Sequence, residues 1–251
     1  MHAMWSDTKA WVSHRLATHV RVGSFRLRNA TPMVSFTFDD IPKSAATTGA
    51  AILEAHGARG TFYVSGSLVG TTSSSNWAAV EGEDVVALHG KGHEIGCHTF
   101  SHKRACDLEP DSLAAEIARN RGYLASLDPS IKTENFAYPF GYGSFACKRQ
   151  LKTAFRSCRS IVPGVNSGSV DLQFLRAMPL IDRCIDRDGI ERAFDDAQTN
   201  NGWLIFYSHD VAEEPSPYGC SPALMTHALK VACGRKIPVL TMAEALRCAG
   251  A

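Results

Sequence analysis

Residues 34–40 read VSFTFDD, an apolar run of β-branched and aromatic side chains that ends in two adjacent carboxylates. This pattern predicts a buried strand that carries Asp39 and Asp40 at its C-terminal end. In a β/α barrel, catalytic groups lie at the C-terminal ends of the strands, although an acid in this place could also cap the following helix. Neighbouring strand residues point to opposite faces, so the two carboxylates are expected to have different roles. One could bind a metal while the other accepts a proton from the attacking water.

The composition predicts one α/β domain. The chain has 251 residues, and its 45% hydrophobic content is enough for a substantial core. The 26 basic and 25 acidic side chains nearly cancel, which argues against a nucleic-acid partner. No stretch approaches the roughly 18 apolar residues that a membrane-spanning helix needs.

The N-terminal 33 residues contain no apolar run of the length that a signal peptide needs, so we expect a cytoplasmic protein. The chain has eight cysteines without a CxxC spacing, and in that compartment we expect them to be reduced. We expect residues 1–33 to form an arm packed on a catalytic barrel of residues 34–251.

Strands and helices are predicted to alternate along the chain. After a short hairpin or edge strand within residues 20–28, core strands are expected over residues 34–40, 61–64, 94–98, 135–139, 160–163, 172–180, 203–209 and 238–241. Helices are expected over residues 44–56, 77–90, 110–127, 145–155, 188–198 and 222–233. Near-continuous apolar strands indicate a parallel sheet covered on both faces. Seven or eight such strands predict a closed or partly closed β/α barrel.

Two histidines follow the strand predicted at residues 94–98. His98 and His102 are four residues apart, and on one helical turn this spacing brings both imidazoles to the same side. Either histidine alone could be structural, but a pair at a strand end can chelate an ion. With Asp40, the pair predicts an Asp-His-His metal site that leaves positions open for water and substrate. Such a site accepts zinc, which we expect here, and also cobalt or nickel.

Two further strand ends carry groups that could be catalytic. Residues 136–144 read FAYPFGYGS, and this glycine-aromatic loop could present a backbone N–H to an oxyanion and a flat face to a sugar ring, or be an ordinary turn. Residues 203–210 read WLIFYSHD, a buried strand that ends at His209. That imidazole could protonate a leaving amine or could be a capping or core histidine.

Together these stretches resemble the polysaccharide deacetylase family, the fourth family of carbohydrate esterases, which includes chitooligosaccharide deacetylases. The family motif TFDD is present as residues 37–40, and the motif H-[ST]-x-x-H is present as residues 98–102. The resemblance covers residues 34–241 and implies a distorted (β/α) barrel of about seven strands in a single domain.

By the same resemblance, Asp39 corresponds to the general base and His209 to the general acid. The metal ligands would be Asp40, His98 and His102, and Phe140 would supply the oxyanion N–H.

The chain departs from the family pattern at two positions. The family's third motif, R-x-P-[FY], is here Ala137-Tyr138-Pro139-Phe140, so the arginine that holds the base is absent from position 137. We expect Arg176 or Arg183 to orient Asp39 instead. The usual Leu-x-His is Tyr207-Ser208-His209, which predicts an altered acyl pocket.

The resulting hypothesis is a hydrolase that uses one divalent metal to remove an N-acetyl or other N-acyl group from an amino sugar in an oligo- or polysaccharide. One alternative is an amidohydrolase of the same fold that acts on a small non-sugar amide. Another is an inactive carbohydrate-binding relative, although binding alone requires neither the base Asp39 nor the acid His209.

Overall fold

A computed structural model describes residues 13–71 and 77–251. Its centre is a seven-stranded sheet in which every neighbouring pair of strands is parallel. In spatial order the strands are β6 (Ser157–Arg159), β5 (Asn135–Ala137), β4 (Glu94–Cys97), β3 (Thr61–Val64), β2 (Met33–Asp39), β9 (Trp203–Ser208) and β8 (Met178–Pro179). The sheet curls into a distorted (β/α) barrel, as the sequence predicts.

The central strand β2 is buried on both of its faces. All seven of its residues are buried, and it pairs with β9 from Met33 opposite Trp203 to Phe38 opposite Ser208. Side chains alternate across the strand: Phe36 and Phe38 pack outward against the helices, whereas Met33 belongs to the core inside the barrel. A strand that is buried on both faces reads as a continuous apolar run, and this is why residues 34–38 give so clear a signal.

The gap between β6 and β8 is bridged by the extended chain that precedes β8. The amide of Leu175 donates to the carbonyl of Cys158 at 2.9 Å, and that of Ala177 donates to Val162 at 3.0 Å. On the other side, the amide of Leu180 donates to Tyr207 at 2.8 Å. The segment 172–180, which contains β8, therefore bridges β6 and β9.

Three predicted strands differ from the structure. The strand expected at residues 160–163 lies three residues earlier, as β6. Only Met178–Pro179 of residues 172–180 is a regular strand, and residues 238–241 contribute an isolated bridge between Val239 and Val34. The strand within residues 20–28 is β1 (Ser24–Arg26), which pairs antiparallel with β7 (Ser169–Asp171) as an edge strand.

Helices cover the outside of the barrel. After β2 they are α1 (Ala50–Ala55, preceded by a π-helical turn at Ala45–Gly49), α2 (Gly82–Gly90), α3 (Pro110–Leu127), α4 (Phe145–Leu151), α5 (Arg187–Thr199), α6 (Pro222–Gly234) and α7 (Met242–Ala249). The helix expected at residues 77–90 begins only at Gly82, where Glu81 and Asp84 form a capping box. Helix α7 lies against the starts of β3 and β4, where the amide of Met242 donates to Thr61 Oγ1 at 2.9 Å.

The segment before β2 is attached to the barrel by a buried ion pair. Lys148 of α4 lies 2.6 Å from Asp171 of β7 and also donates to the carbonyls of Ala17 and Val20. The carboxylate of Asp171 accepts in turn from the amides of Val22 and Gly23. The division into an arm of residues 1–33 and a barrel of residues 34–251 stays a prediction, and residues 1–12 lie outside the described part of the chain.

Within the described residues, no helix is both long and apolar enough to cross a membrane. The same residues include all eight cysteines, and each has a free thiol.

Candidate active site

The end of β2 sends its two carboxylates in different directions. Asp39 is the last residue of the strand, and Asp40 has a φ of 60°, in the left-handed region that side chains other than glycine rarely adopt. Because of this turn, the Asp39 side chain stays inside the barrel and Asp40 lies above it at the strand end. The two carboxylates therefore lie in different environments, and their expected difference in role stays a prediction.

The two histidines are brought together by a loop. The expectation that a helical turn pairs them is wrong, because residues 98–104 are non-helical and both Thr99 and His102 have positive φ. The carboxylate of Glu116 holds this loop by accepting from the amides of Phe100 and Ser101, at 3.1 and 2.7 Å. The positive φ angles of this loop are unfavourable by themselves, and the side chain of Glu116 stabilises the loop in this conformation.

Asp40, His98 and His102 converge on one point. Their ligand atoms all lie within 4.8 Å of one another, with Asp40 Oδ1 at 3.6 Å from His98 Nε2 and 3.0 Å from His102 Nε2. His98 Nδ1 lies 2.8 Å from the carbonyl of Ala137, so the proton of a neutral His98 is on Nδ1 and the lone pair of Nε2 faces Asp40. His98 therefore presents an acceptor nitrogen to the point where the three side chains meet.

The environment keeps both imidazoles neutral. Burial lowers the pKa of His98 to about 3, against the opposing charge of Asp39, and burial also lowers the pKa of His102. Burial raises the pKa of Asp40 to about 6, although His209 acts in the opposite direction. Neutral imidazoles are the form that binds a metal.

This donor set fits a divalent ion. Asp40 Oδ1 is buried without a hydrogen-bond partner among the described residues, a costly arrangement that a cation would relieve. One carboxylate oxygen and two imidazole nitrogens form a three-ligand set that suits zinc and similar metals and leaves positions for other molecules.

Asp39 is held by an arginine from the far end of the sheet. Arg159 Nη2 lies 2.5 Å from both carboxylate oxygens of Asp39, and the two side chains are buried. The expectation of Arg176 or Arg183 in this place is wrong. Arg176 is exposed and donates to the carbonyl of Pro163, and Arg183 lies over the ring of Tyr218.

The charge of Arg159 determines the ionisation of Asp39. Burial alone would raise the pKa of the Asp39 carboxyl, but the charge of Arg159 and its hydrogen bonds to the carboxylate outweigh burial and hold the pKa below its usual value. Asp39 is therefore an ionised carboxylate at neutral pH, as a proton acceptor must be.

His209 follows directly after the end of β9, and its ring lies near Asp40. Its Nδ1 lies 3.2 Å from the carbonyl of Tyr218, and its Nε2 lies 3.9 Å from Asp40 Oδ2. The rings of Trp77 and Tyr218 lie beside the imidazole, with centroids at 5.9 and 5.7 Å. With Nδ1 directed to a carbonyl, Nε2 is the nitrogen that can exchange a proton with a molecule bound above Asp40.

Phe140 lies at the mouth of the site. It has a φ of 59° within a single turn of 3₁₀-helix that follows β5, and its ring is 50% exposed. The ring centroid is 4.6 Å from that of His102, and the guanidinium of Arg104 lies 5.3 Å from the ring. Tyr142 is another partly exposed aromatic side chain at this rim, and Arg104 also lies over its ring.

Asp39, Phe140 and His209 lie around the point where Asp40, His98 and His102 meet, whereas Arg176 and Arg183 do not contact Asp39. Sequence reasoning missed Arg159, because strand β6 was expected to begin one residue after it. A basic residue at a strand end was the one signal that could have found it.

Comparison with known proteins relates the chain to one family. The model of the polysaccharide deacetylase family matches residues 27–154, just over half of the 251 residues. The matched range contains the three converging residues, Asp39 and Phe140, and it ends before Arg159 and His209.

Solved structures of similar fold come from bacteria and fungi. A family 4 acetyl xylan esterase from Clostridium thermocellum, in complex with a cobalt ion, has a TM-score of 0.59 and 20% identity, over 86% of this chain and 90% of that one. The chitin deacetylase of the fungal pathogen Colletotrichum lindemuthianum has a TM-score of 0.63 and 18% identity, over 87% and 89%. A CE4 family pseudoenzyme from Bacillus anthracis has a TM-score of 0.62 and 14% identity, over 92% and 71%. At these identities the likeness is one of fold.

Among curated proteins, a gellan lyase from a Bacillus species is 28% identical over 114 residues, which are 45% of this chain. The match covers 4% of that protein, so the chain corresponds to a small part of its length.

Proposed function

The chain belongs to the polysaccharide deacetylase family, and from this membership we propose that it removes an N-acetyl group from an amino sugar in an oligo- or polysaccharide. The general function of the family is metal-dependent deacetylation of carbohydrates. The observation that carries the proposal is the convergence of Asp40, His98 and His102 directly beside a second carboxylate, Asp39, that is ionised and held by an ion pair. Such a site combines metal ligands with a separate proton acceptor.

In this proposal each residue has one role. Asp40, His98 and His102 would hold a divalent ion, zinc by preference, which would supply Lewis-acid polarisation of the acyl carbonyl and of the attacking water. Asp39 accepts a proton from the water as its oxygen bonds to the carbonyl carbon.

The remaining groups act on the products of that attack. The backbone N–H of Phe140 donates to the oxygen on which negative charge develops. His209 delivers a proton through Nε2 to the nitrogen of the sugar as the carbon–nitrogen bond breaks. Acetate and a free amine result, and the proton balance between Asp39 and His209 is restored through solvent.

The aromatic residues at the rim support a sugar as substrate. Phe140, Tyr142 and Tyr218 are exposed, and Trp77 is partly exposed beside His209. Flat apolar faces around an open site suit the faces of sugar rings, and a rigid aromatic ring loses little conformational entropy on binding.

The two alternative functions have less support. The missing arginine at position 137 gave some weight to the hypothesis of a small non-sugar amide as substrate, but Arg159 supplies an arginine beside Asp39. The hypothesis of an inactive relative does not explain why a base and an imidazole are both present within the site, although a relative of similar fold is described as a pseudoenzyme.

The test is release of acetate from N-acetylated chitooligosaccharides by protein loaded with zinc, before and after a chelator. We expect release that the chelator stops and added metal restores. Acetylated xylan in parallel distinguishes an ester substrate from an amide. Absence of release from all acylated sugars, with the metal bound, would contradict the proposed function.

A further inference from the structure

The two positions at which the chain departs from the family pattern, Ala137 and Tyr207, both lie next to Arg159. We infer that Arg159 positions Asp39 for proton transfer in place of an arginine at position 137, and that Tyr207 helps to hold it there. The inference rests on the proposed function of this site, because positioning matters only where Asp39 accepts a proton. It concerns a residue outside the range that the family model matches.

The geometry of the sheet allows an arginine at position 159 to take the place of an arginine at position 137. Ala137 is the last residue of β5 and Arg159 the last residue of β6, and they are direct partners in the parallel register. Partners in register point to the same face of a sheet, on strands about 4.8 Å apart. Both residues have no exposed surface. A long side chain on β6 can therefore reach Asp39 only if the residue beside it on β5 is small, and alanine leaves that space.

Aromatic rings fix the guanidinium. Its central carbon lies 5.3 Å from the ring centroid of Tyr63 and 5.3 Å from that of Tyr207. Arg159 Nη1 also donates to the carbonyl of Ser160 at 3.3 Å. An aromatic face attracts a cation, which the leucine that the family pattern predicts at position 207 would not do. The two departures from the family pattern thus both serve Arg159: Ala137 leaves space for its side chain, and Tyr207 contacts its guanidinium.

Arg159 fixes the direction of the carboxylate as well as its charge. One nitrogen, Nη2, bridges both oxygens of Asp39 from inside the barrel. A buried carboxylate without this partner would have to turn toward another donor or take up a proton. A shift of about 1 Å in a reacting group can cost about 100-fold in rate, so removal of Arg159 should act mainly on turnover.

The first experiment compares single variants on a substrate that the wild type deacetylates. For Arg159→Ala we expect kcat to fall by about 100-fold or more with KM changed only a few-fold, because the positioned group acts in the transition state. Added guanidinium ion should restore part of the activity, and Arg159→Lys should retain more than the alanine variant. The matched control is Arg176→Ala, an exposed arginine of the neighbouring segment, which should behave as wild type. Activity of Arg159→Ala within a few-fold of wild type overturns the inference.

The second experiment tests whether positions 137 and 159 are equivalent, by moving the arginine from one to the other. In the double variant Ala137→Arg/Arg159→Ala, the arginine stands on β5, and we expect at least a ten-fold recovery of kcat over Arg159→Ala. Ala137→Arg alone should be destabilised, because two arginines then compete for one space. If the double variant folds and its kcat does not recover, positions 137 and 159 are not equivalent, and the inference that Arg159 replaces an arginine at position 137 is wrong.

Urea unfolding separates this inference from the proposed function. We expect the combined effect of Arg159→Met and Asp39→Asn on the unfolding midpoint to be smaller than the sum of the two single effects, because each breaks the same ion pair. Zinc binding by Arg159→Met should persist, since the arginine holds no ligand. If the wild type deacetylates no sugar, the proposed function fails, and non-additive unfolding still supports the ion pair between Arg159 and Asp39. Additive unfolding overturns the inference in either case.

Discussion

At the scale of single residues, Ala137 affects both halves of the site. Its carbonyl accepts the Nδ1 proton of His98 and so directs Nε2 toward Asp40. Its methyl side chain leaves the space through which Arg159 reaches Asp39. The orientations of the proposed metal ligand His98 and of the proposed proton acceptor Asp39 thus both depend on the same strand end. His98 depends on it through the backbone, and Asp39 depends on it through the small side chain.

The metal site gives the first prediction. His98→Ala and His102→Ala should each lose most of the bound zinc on dialysis, because a three-ligand site that loses one imidazole keeps only two donors. The control is His89→Ala, a histidine near Ser130 on the outer surface, which should keep the metal. Metal content by elemental analysis decides the result. Full occupancy in both site variants would show that the ligands are other residues.

The proposed proton acceptor, Asp39, gives the second prediction. Asp39→Asn should keep the metal and lower turnover by about 10²- to 10⁴-fold, the usual contribution of a positioned general base. His209→Ala should have a similar effect, and the double variant should lose far less than the product of the two, because both residues serve one sequence of proton transfers. Asp182→Asn, an exposed aspartate whose carboxylate accepts from the amide of Ser221, is the control. Asp39→Asn with near wild-type turnover would assign the base to another residue.

At the scale of elements, strand and helix ends determine which functional groups could be predicted. The structure has β3 at Thr61–Val64 and α3 at Pro110–Leu127, as expected from an apolar run and from a proline in the first turn. Strand β6 was expected three residues late, because Ser-Cys-Arg is a weak strand signal and the following Ile-Val is a strong one. The error hid Arg159, and its partner Asp39 is 120 positions away, beyond the reach of any local pattern.

The ion pair between α4 and β7 gives the third prediction, which concerns pH. Burial alone would raise the pKa of Asp171, but hydrogen bonds from Lys148, Val22 and Gly23 outweigh it, so the folded-state pKa lies below the unfolded value of about 3.9. A carboxyl group with a depressed pKa stabilises the fold above the unfolded pKa and loses that effect as pH falls through the folded pKa. Asp171→Asn should therefore lower the free energy of unfolding by about 3 kcal/mol at pH 7. The difference from wild type should shrink below about pH 4.

Urea titrations from pH 7 to pH 3 measure this difference. The control is Glu134→Gln, which breaks a more exposed pair with Arg156 at 2.9 Å and should cost less than about 1 kcal/mol at any pH. A loss for Asp171→Asn that is equal at pH 7 and pH 3 would mean that the charge of Asp171 does not contribute to stability.

At the scale of the whole molecule, the interior of the barrel is polar at one end and apolar at the other. Met33 and Trp203 fill the end where the strands begin, next to α7, whereas Asp39 and Arg159 lie where the strands end. This division places the charged groups below the open mouth of the site. The fold class followed from the alternation of elements, but the pairing of charges inside the barrel required the three-dimensional arrangement.

The cysteines give a prediction at this scale. Cys184, Cys233 and Cys248 are exposed, and Cys97, Cys147, Cys158 and Cys220 are buried. Thiol titration of the native protein should find that the three exposed thiols react fast, and titration in denaturant should find all eight thiols. Burial raises the pKa of the half-buried Cys106 to about 12, so it should react slowly despite its partial exposure. Fewer than eight thiols in denatured, non-reduced protein would show that disulfides form.

The segment 172–180, which contains β8, is hydrogen-bonded to β6 and the residues that follow it on one side and to β9 on the other, and this makes its amides reporters of barrel opening by hydrogen exchange. The amides of Leu175 and Ala177 lie on the β6 side, and that of Leu180 lies on the β9 side. If the barrel opens as one cooperative unit, all three amides should exchange with the same free energy of opening. If instead the β6 side opens first, Leu175 and Ala177 should exchange faster than Leu180, and solvent would reach Arg159 before it reaches β9. The exchange rates of three amides would thus show which wall of the catalytic interior is the weaker one.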